Sequence, residues 1–425
     1  MKANSKAKYK IAVVLPRYGK SLGGGAETLV KTVVDQALAR NTVIETAEVW
    51  TTCALDHRTW DNELPPGKSV EDGIEVHRFP VDDRDLEVFL QGEFAIRDGI
   101  RMSLDQQLDW MANSVNASGL YKQIKENHHR VDFILFAPYL FATSFWGSQI
   151  CPEKSIVFPC LHDEGYAYQP IFKAMFSRVS GLIFNTDAER ELARDIYNFA
   201  NLDQRSEVVG MGFSDSSKGS DSLSSVSKKA LDLPIEAQGD YILYSGRKEQ
   251  GKNLDLLIEY FSKLQQRNPS LKNLKLILIG AGEINFLEEL PGNVFDLGFV
   301  SEEMKEALFA NSLFLCQPSL NESFSIVMME SWLQGCPVVV HGECAVTRDN
   351  VVRSSGGLFF TSLEEFEAVA LRLVEQPDLR KKLGLNGKGY VEAVYDWRAV
   401  LERFGNALEK FSSLAEVSQD FEKAI

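Results

Sequence analysis

Two glutamates in the second half of the chain, Glu322 and Glu330, stand eight positions apart in a run that begins Gln317-Pro318-Ser319-Leu320-Asn321 and continues Glu322-Ser323-Phe324-Ser325 before Ile326 to Met329. If the stretch between them is mostly helical, a rise of 1.5 Å per residue separates their backbones by up to ~12 Å. A glycosidase needs its two carboxyls about 5 to 9.5 Å apart and aimed at one bond, so a hydrolytic dyad is a poor reading. Carboxylates further apart suit the two ends of a long ligand, one accepting hydrogen bonds from sugar hydroxyls and the other from a ribose. A sugar nucleotide is such a ligand.

Upstream lies Gly246-Arg247-Lys248-Glu249-Gln250-Gly251-Lys252-Asn253, which approaches the phosphate loop of nucleotide triphosphatases. Asn253 stands where that loop needs a magnesium-ligating Ser or Thr, and no apolar strand ends in the Asp that would complete the metal site. Arg247 and Lys252 remain suited to neutralising a leaving diphosphate without a metal. The competing reading is a pair of solvated surface cations. A third candidate is Gly23-Gly24-Gly25-Ala26-Glu27, between a strand and a helix, where backbone N–H groups and a helix N-terminus could cradle a diphosphate. A flexible turn is the alternative, and the spacing lacks the third glycine of the dinucleotide fingerprint.

The elements that must position these residues are legible as apolar runs of strand length alternating with amphipathic segments. IAVVLP precedes AETLVKTVVDQALAR; VDFILFAP, SIVFPC and GLIFNT follow, the last before DAERELARDIYNFA. The alternation restarts after residue 235 with YILYSG, LKLILIGAG, VFDLGFV, SLFLCQPS and PVVVHG. Continuous apolar strands flanked by helices imply parallel sheets covered on both faces. Between the two α/β units runs a Ser-rich stretch, SDSSKGSDSLSSVSKK from Ser214, read as a linker, with the boundary near residue 230.

A chain of 425 residues fits two domains of roughly 200 residues each. With 44% hydrophobic and 25% charged residues the composition is that of a globular protein, and a net charge of -15 argues against nucleic-acid binding. The opening MKANSKAKYK-IAVVLP is too short in its apolar part to span a membrane and no small-residue cleavage site follows, so the chain is expected to be cytoplasmic. Its six cysteines are scattered and read as reduced core thiols, with no metal site. The Asn-x-Ser triplets at Asn116 and Asn321 read as chance matches.

The second half resembles the retaining GT-B glycosyltransferases of family 4 (glycosyl transferases group 1). The resemblance is carried, in order, by Gly246-Arg247 with Lys252, Gly280-Ala281-Gly282, Gly298-Phe299-Val300, Pro318-Ser319, Glu322, Phe324, Glu330 and Gly335-Cys336-Pro337-Val338-Val339, over about 100 residues. One departure is that Ser323 and Ser325 replace the family's glycines in a turn whose backbone N–H groups receive the donor. The resemblance implies two Rossmann-like domains facing across a cleft. These are residues 1–230, an acceptor domain completed by a returning C-terminal segment 396–425, and residues 231–395, a nucleotide-sugar donor domain. It further implies that Glu322 binds the sugar hydroxyls, Glu330 the ribose, and Arg247 with Lys252 the diphosphate. Gly24, Gly25, Gly280, Phe299, Val300, Ser323, Phe324 and Ser325 complete the donor site. His162, after SIVFPCL, would contact the reacting centre, and its place beyond a strand end fits where open α/β sheets bind ligands. A hydrogen-bonded histidine under a loop is the alternative.

The activity so implied is metal- and cofactor-independent transfer of a hexose from a nucleotide-diphosphate sugar, of UDP-glucose type, with retention of configuration. The acceptor is a saccharide or a lipid-linked molecule, for which the mixed aromatic and charged segment 79–110 is the distinctive candidate. Peripheral membrane contact is left open, since no strong apolar helix rimmed by Lys and Arg is evident. The rival readings are a GT-B-fold sugar-nucleotide epimerase and a noncatalytic sugar-nucleotide-binding protein, the latter favoured by Ser323 and Ser325 alone.

Overall fold

A computed structural model describes residues 8–19, 24–213, 238–287 and 289–424. Gly23, the Ser-rich stretch from Ser214 and the expected boundary near residue 230 lie outside the described residues. The chain forms two compact units: residues 1–212 together with 397–425, and residues 213–396.

In the first unit the strands are β1 (Tyr9–Leu15), β2 (Ile44–Thr52), β3 (Gly67–Glu71), β4 (Ile74–Phe79), β5 (Phe133–Phe136), β6 (Ser155–Val157), β7 (Gly181–Phe184) and β8 (Ser206–Val208). The helices are α1 (Gly25–Ala39), α2 (Leu86–Arg97), α3 (Leu104–Ala112), α4 (Ser118–Asn127), α5 (Ala142–Gly147), α6 (Pro170–Arg178) and α7 (Asp187–Tyr197). The sheet order is β3-β4-β2-β1-β5-β6-β7-β8. Its central strands are buried from end to end, as FILF in β5 shows, which is why they read as unbroken apolar runs.

One edge departs from the expected all-parallel sheet. β3 pairs antiparallel with β4 through Asp72 and Gly73, both at positive φ (50° and 85°). That is the two-residue hairpin geometry for which Asp-Gly is suited.

The second unit contains β9 (Tyr241–Ser245), β10 (Lys275–Ile279), β11 (Val294–Asp296), β12 (Phe314–Gln317), β13 (Val338–His341) and β14 (Gly357–Phe360). It also contains α8 (Leu254–Arg267), α9 (Glu302–Asn311), α10 (Ile326–Leu333), α11 (Ala345–Ser354), α12 (Leu363–Glu375) and α13 (Pro377–Val394). The strand order is β11-β10-β9-β12-β13-β14, parallel at every pairing. α8 shows how sequence produces packing: Leu254, Leu257, Ile258, Phe261 and Leu264 recur at helical spacing and are all buried. Each such burial stabilises the unit by about 1.5–3 kcal/mol.

The last helix, α14 (Trp397–Ala424), belongs to the first unit. Lys410 donates to the carbonyls of Asp203 and Ser206 and pairs with Glu207, and Phe404 packs near Phe158. Close packing also demands Gly181, because a Cβ there would lie 2.5 Å from the Phe411 ring. The architecture of two α/β units with a returning C-terminal helix is that of the GT-B fold.

Candidate functional site

In the second unit β10 and β11 build outward on one side of β9, and β12 to β14 on the other. The chain therefore reverses direction between β9 and β12, and the loops leaving their carboxyl ends diverge there; such switch points are where open α/β sheets bind ligands. Loop 246–253 leaves β9 and loop 318–325 leaves β12. The two loops are joined by charge: Lys252 Nζ lies 2.7 Å from Glu322 Oε1, and the amide of buried Gln317 donates to the same oxygen at 3.1 Å. Asn253, in the left-handed conformation (φ 55°), donates to the Pro318 carbonyl at 3.1 Å. The residue that breaks the triphosphatase motif thus ties the loops together. Lys252 and Glu322 stay partly open, at 19% and 10% side-chain exposure.

Arg247 pairs with Glu249 at 3.2 Å on the outer part of the loop. Between the two expected cations stands Lys248, which is a brace. Its side chain is buried, with Nζ 2.8 Å from the Gly280 carbonyl and 2.7 Å from Asp296. Gly280 (φ 122°) packs so tightly that a Cβ would meet the Gly246 carbonyl oxygen at 2.1 Å. Close approach of two backbones, rather than ligand contact, explains this glycine. Val300 is half-buried, whereas Phe299 beside it is 82% exposed.

The carboxylate pair needs one correction. α10 begins only at Ile326, after Ser325 in the left-handed conformation (φ 68°), so Glu322 lies on the loop and only Glu330 on the helix. The full helical rise between them does not apply. Lys305 of α9 meets Glu330 Oε1 at 2.9 Å, while Oε2 is buried and has no hydrogen-bond partner among the described residues. Burial pushes the Glu330 carboxyl above its ordinary value, against the pull of Lys305.

Phe324, expected at the donor, is buried in a stack with Phe213 and an edge contact with Tyr395, at centroid distances of 6.2 and 5.1 Å. It anchors the turn from behind. Ser323 is half-buried; the Ser325 hydroxyl is buried and has no hydrogen-bond partner among the described residues.

The remaining expected residues lie in the first unit. Gly24 precedes α1, and a Cβ on it would lie 1.8 Å from the Glu27 carboxylate, which Arg17 holds at 2.9 Å. Gly25 is open. A carboxylate in the first turn of α1 already answers the helix N-terminus.

His162 follows β6, half-exposed, with Nδ1 3.4 Å from Glu164 Oε1. Behind it Glu189 is fully buried, and its carboxyl is pushed up to about 8 by burial although Asn185 and Leu161 donate to it. No sequence signal separated Glu189 from the ordinary acidic residues of a helix start.

Among the described residues, Glu48, Glu75 and His77 bring ligand atoms within 4.8 Å of one another and could hold a divalent ion. Lys68 and His77 already contact those carboxylates, at 3.0 Å for Lys68–Glu75 and 3.4 Å for His77–Glu48. All six cysteines are buried free thiols. No helix among the described residues is long and apolar enough to cross a membrane.

Residues 228–390 match the family model "Glycosyl transferases group 1". The chain is 28% identical over 174 residues to glycosyltransferase 1 domain-containing protein 1 of Xenopus tropicalis, covering 38% of this chain and 47% of that protein. It is 26% identical over 254 residues to a D-inositol 3-phosphate glycosyltransferase of Saccharomonospora viridis, covering 55% and 57%. The chain spans about half the length of these curated relatives. Among solved structures, sucrose-phosphate synthase of Thermosynechococcus elongatus shares the fold with a TM-score of 0.69 at 15% identity, over 96% of this chain and 100% of that one. Anabaena HepE in complex with UDP-glucose gives 0.66 at 19% identity, over 95% and 100%.

Proposed function

We propose that this protein is a glycosyltransferase that moves a hexose from a nucleotide-diphosphate sugar, of UDP-glucose type, to a saccharide or lipid-linked acceptor with retention of configuration. The observation that carries the reading is the pairing of Lys252 with Glu322 across the β9–β12 switch point, backed by the partnerless oxygen of Glu330. A donor laid along this edge meets a different group at each part. Glu322, already oriented by Gln317, accepts from the sugar hydroxyls. Lys252 and Arg247 face the diphosphate, and Glu330 Oε2 takes a ribose hydroxyl as the hydrogen bond it lacks. The sugar-nucleotide complex of HepE, a protein of the same fold, supports the donor class.

In the reaction the bond from the anomeric carbon to the β-phosphate oxygen breaks as the acceptor oxygen attacks from the same face. The acceptor proton leaves with the diphosphate or to solvent. Fixed cations at the departing phosphates supply most of the rate enhancement, because they act where negative charge develops. His162 contacts the sugar or acceptor.

Calorimetric titration with UDP, GDP, ADP and their sugar conjugates, without added metal, tests the reading. One nucleotide should bind, and Glu330→Ala should weaken it by about tenfold, the worth of one lost hydrogen bond to a charged group. A folded protein that binds none of them overturns the assignment.

A further inference from the structure

We propose that Glu189 is a positioning residue for His162: its carboxylate brackets the ends of β6 and β7 and fixes the turn that presents the imidazole. The proposal rests on the reading of His162 as a residue of the transfer site.

A glutamate three residues after an N-cap has a local task, which is to reach back to the N-cap backbone N–H while the cap side chain accepts from its own N–H. Glu189 takes part in this and reaches further. Its N–H donates to Thr186 Oγ1 at 3.1 Å and the Thr186 backbone pulls on its carboxyl, but the two short bonds of that carboxyl lie beyond the cap residue. One oxygen accepts from Asn185 N at the end of β7 at 2.6 Å, and the other accepts from Leu161 N beyond β6 at 2.7 Å. Capping α7 does not call for that second bond, and full burial of a carboxyl is costly. The carboxylate spends both acceptors on the backbone of two neighbouring strand ends, one of them directly before His162.

The turn needs such a bracket. Cys160 sits in the left-handed region (φ 54°), a conformation that a non-glycine residue keeps only where the surroundings impose it. Asn185 Nδ2 lies 3.6 Å from Cys160 Sγ, and Tyr139 N donates to the Pro159 carbonyl at 3.2 Å. Leu161 is buried as a wedge. Downstream, Glu164 N donates to the His162 carbonyl at 3.0 Å. The backbone on both sides of the imidazole is therefore held, and the hold on its upstream side runs through Glu189.

The chain has six histidines, so selective 15N labelling of histidine gives a ring spectrum simple enough to follow one residue, with His162→Ala as the assignment. Compared with wild type above pH 8, where the carboxyl is ionised, Glu189→Gln keeps the shape and one acceptor but turns the other oxygen into a donor facing a backbone N–H. The His162 ring resonances should shift or broaden while the other five stay. Thr186→Ala weakens the start of α7 without touching the bracket and should leave His162 unchanged. Cys160→Gly frees the turn with the carboxylate intact, because glycine enters and leaves this conformation easily, and it should broaden His162 even if Glu189→Gln fails to fold.

In turnover of UDP-glucose, Glu189→Gln should lower kcat about tenfold with KM within about twofold, the signature of a misplaced group and not of lost binding. It should cause no further loss in a His162→Ala background. Unchanged His162 resonances in folded Glu189→Gln or Cys160→Gly, or losses that add in the double variant, overturn the proposal. A wild-type protein that binds no nucleoside diphosphate overturns the transferase reading instead, and the ring spectra still decide the link between Glu189 and His162.

Discussion

The two units share a plan, a mainly parallel sheet with loops diverging at a switch point, yet they spend their charged residues differently. In the second unit the pairs at the candidate site stay partly open: Lys252 with Glu322 on the loops, and Lys305 with Glu330 on the helices, keep between 10% and 25% side-chain exposure, while Lys248 is a buried brace. In the first unit the acidic groups beside Gly24 and beneath His162 are turned inward, although surface pairs such as Lys68 with Glu75 are exposed. Arg17 with Glu27 is about nine-tenths buried, and Glu189 is wholly enclosed and bonded to backbone. Charge at a mouth can exchange its partner for a ligand; charge under a loop can only fix the loop. On the proposed reading the second unit binds the donor by electrostatics.

The contrast breaks first at Glu322. Glu322→Ala should reduce donor turnover by about 10^2- to 10^3-fold while changing the melting temperature little, because Lys252 can turn to solvent. Glu27→Ala in the first unit should do the reverse, lowering stability by about 3 kcal/mol by stranding buried Arg17, with the pair's loss read as a melting shift. Equal effects of both variants on turnover would remove the distinction between mouth and brace.

The glycines sharpen the same comparison. Gly280→Ala forces a Cβ to 2.1 Å from the Gly246 carbonyl at φ 122° and should cost about 3 kcal/mol, roughly 10 °C in melting temperature. Gly25→Ala meets nothing within 4 Å at the start of α1 and should be neutral or slightly stabilising. Differential scanning calorimetry of the two variants separates a backbone crossing from an open loop.

Glu189 gives the comparison a pH dependence. Burial raises its carboxyl from the ordinary 4.5 to about 8, so between those values the folded chain holds a proton that the unfolded chain has released. Its contribution to stability is complete below about pH 4.5 and is lost as pH rises towards 8. Wild type should therefore fall in stability relative to Glu189→Gln by on the order of 3 to 4 kcal/mol between pH 5 and 8. Parallel pH–stability curves for the two proteins would show that the carboxyl is not perturbed.

What the sequence makes legible follows from how local each feature is. β9, β12 and β13 are visible as apolar runs because both faces of their sheet are covered, and Arg247, Lys252 and Glu322 stand out because their loops adjoin those strands, as Glu330 does on the helix that follows. Lys248 is not separable from its neighbours in sequence, since its brace role depends on the Gly280 carbonyl and Asp296, 32 and 48 positions away. Lys305 as the partner of Glu330 is equally non-local. Phe324 reads as part of a ligand motif, but its place in an aromatic stack is set by Phe213 and Tyr395 from distant segments. The antiparallel edge had a local signal in Asp72-Gly73, masked by the weak, exposed pattern of β3.

Phe299 supplies the smallest and most selective test. At 82% exposure on the loop after β11 it contributes almost nothing to the core, so Phe299→Ala should leave the melting temperature within about 1 °C. An exposed ring beside Gly298 (φ 65°) is nonetheless well placed to lie against a flat apolar group, and a nucleobase presents such a face whatever its hydrogen-bonding edge. If the donor base packs there, Phe299→Ala should weaken UDP by about fivefold, near 1 kcal/mol, and Phe299→Tyr should restore it. Ribose-5-phosphate, which lacks the base, should bind both proteins alike. Equal UDP affinity in wild type and Phe299→Ala would move the base away from this loop while leaving the Lys252–Glu322 assignment standing.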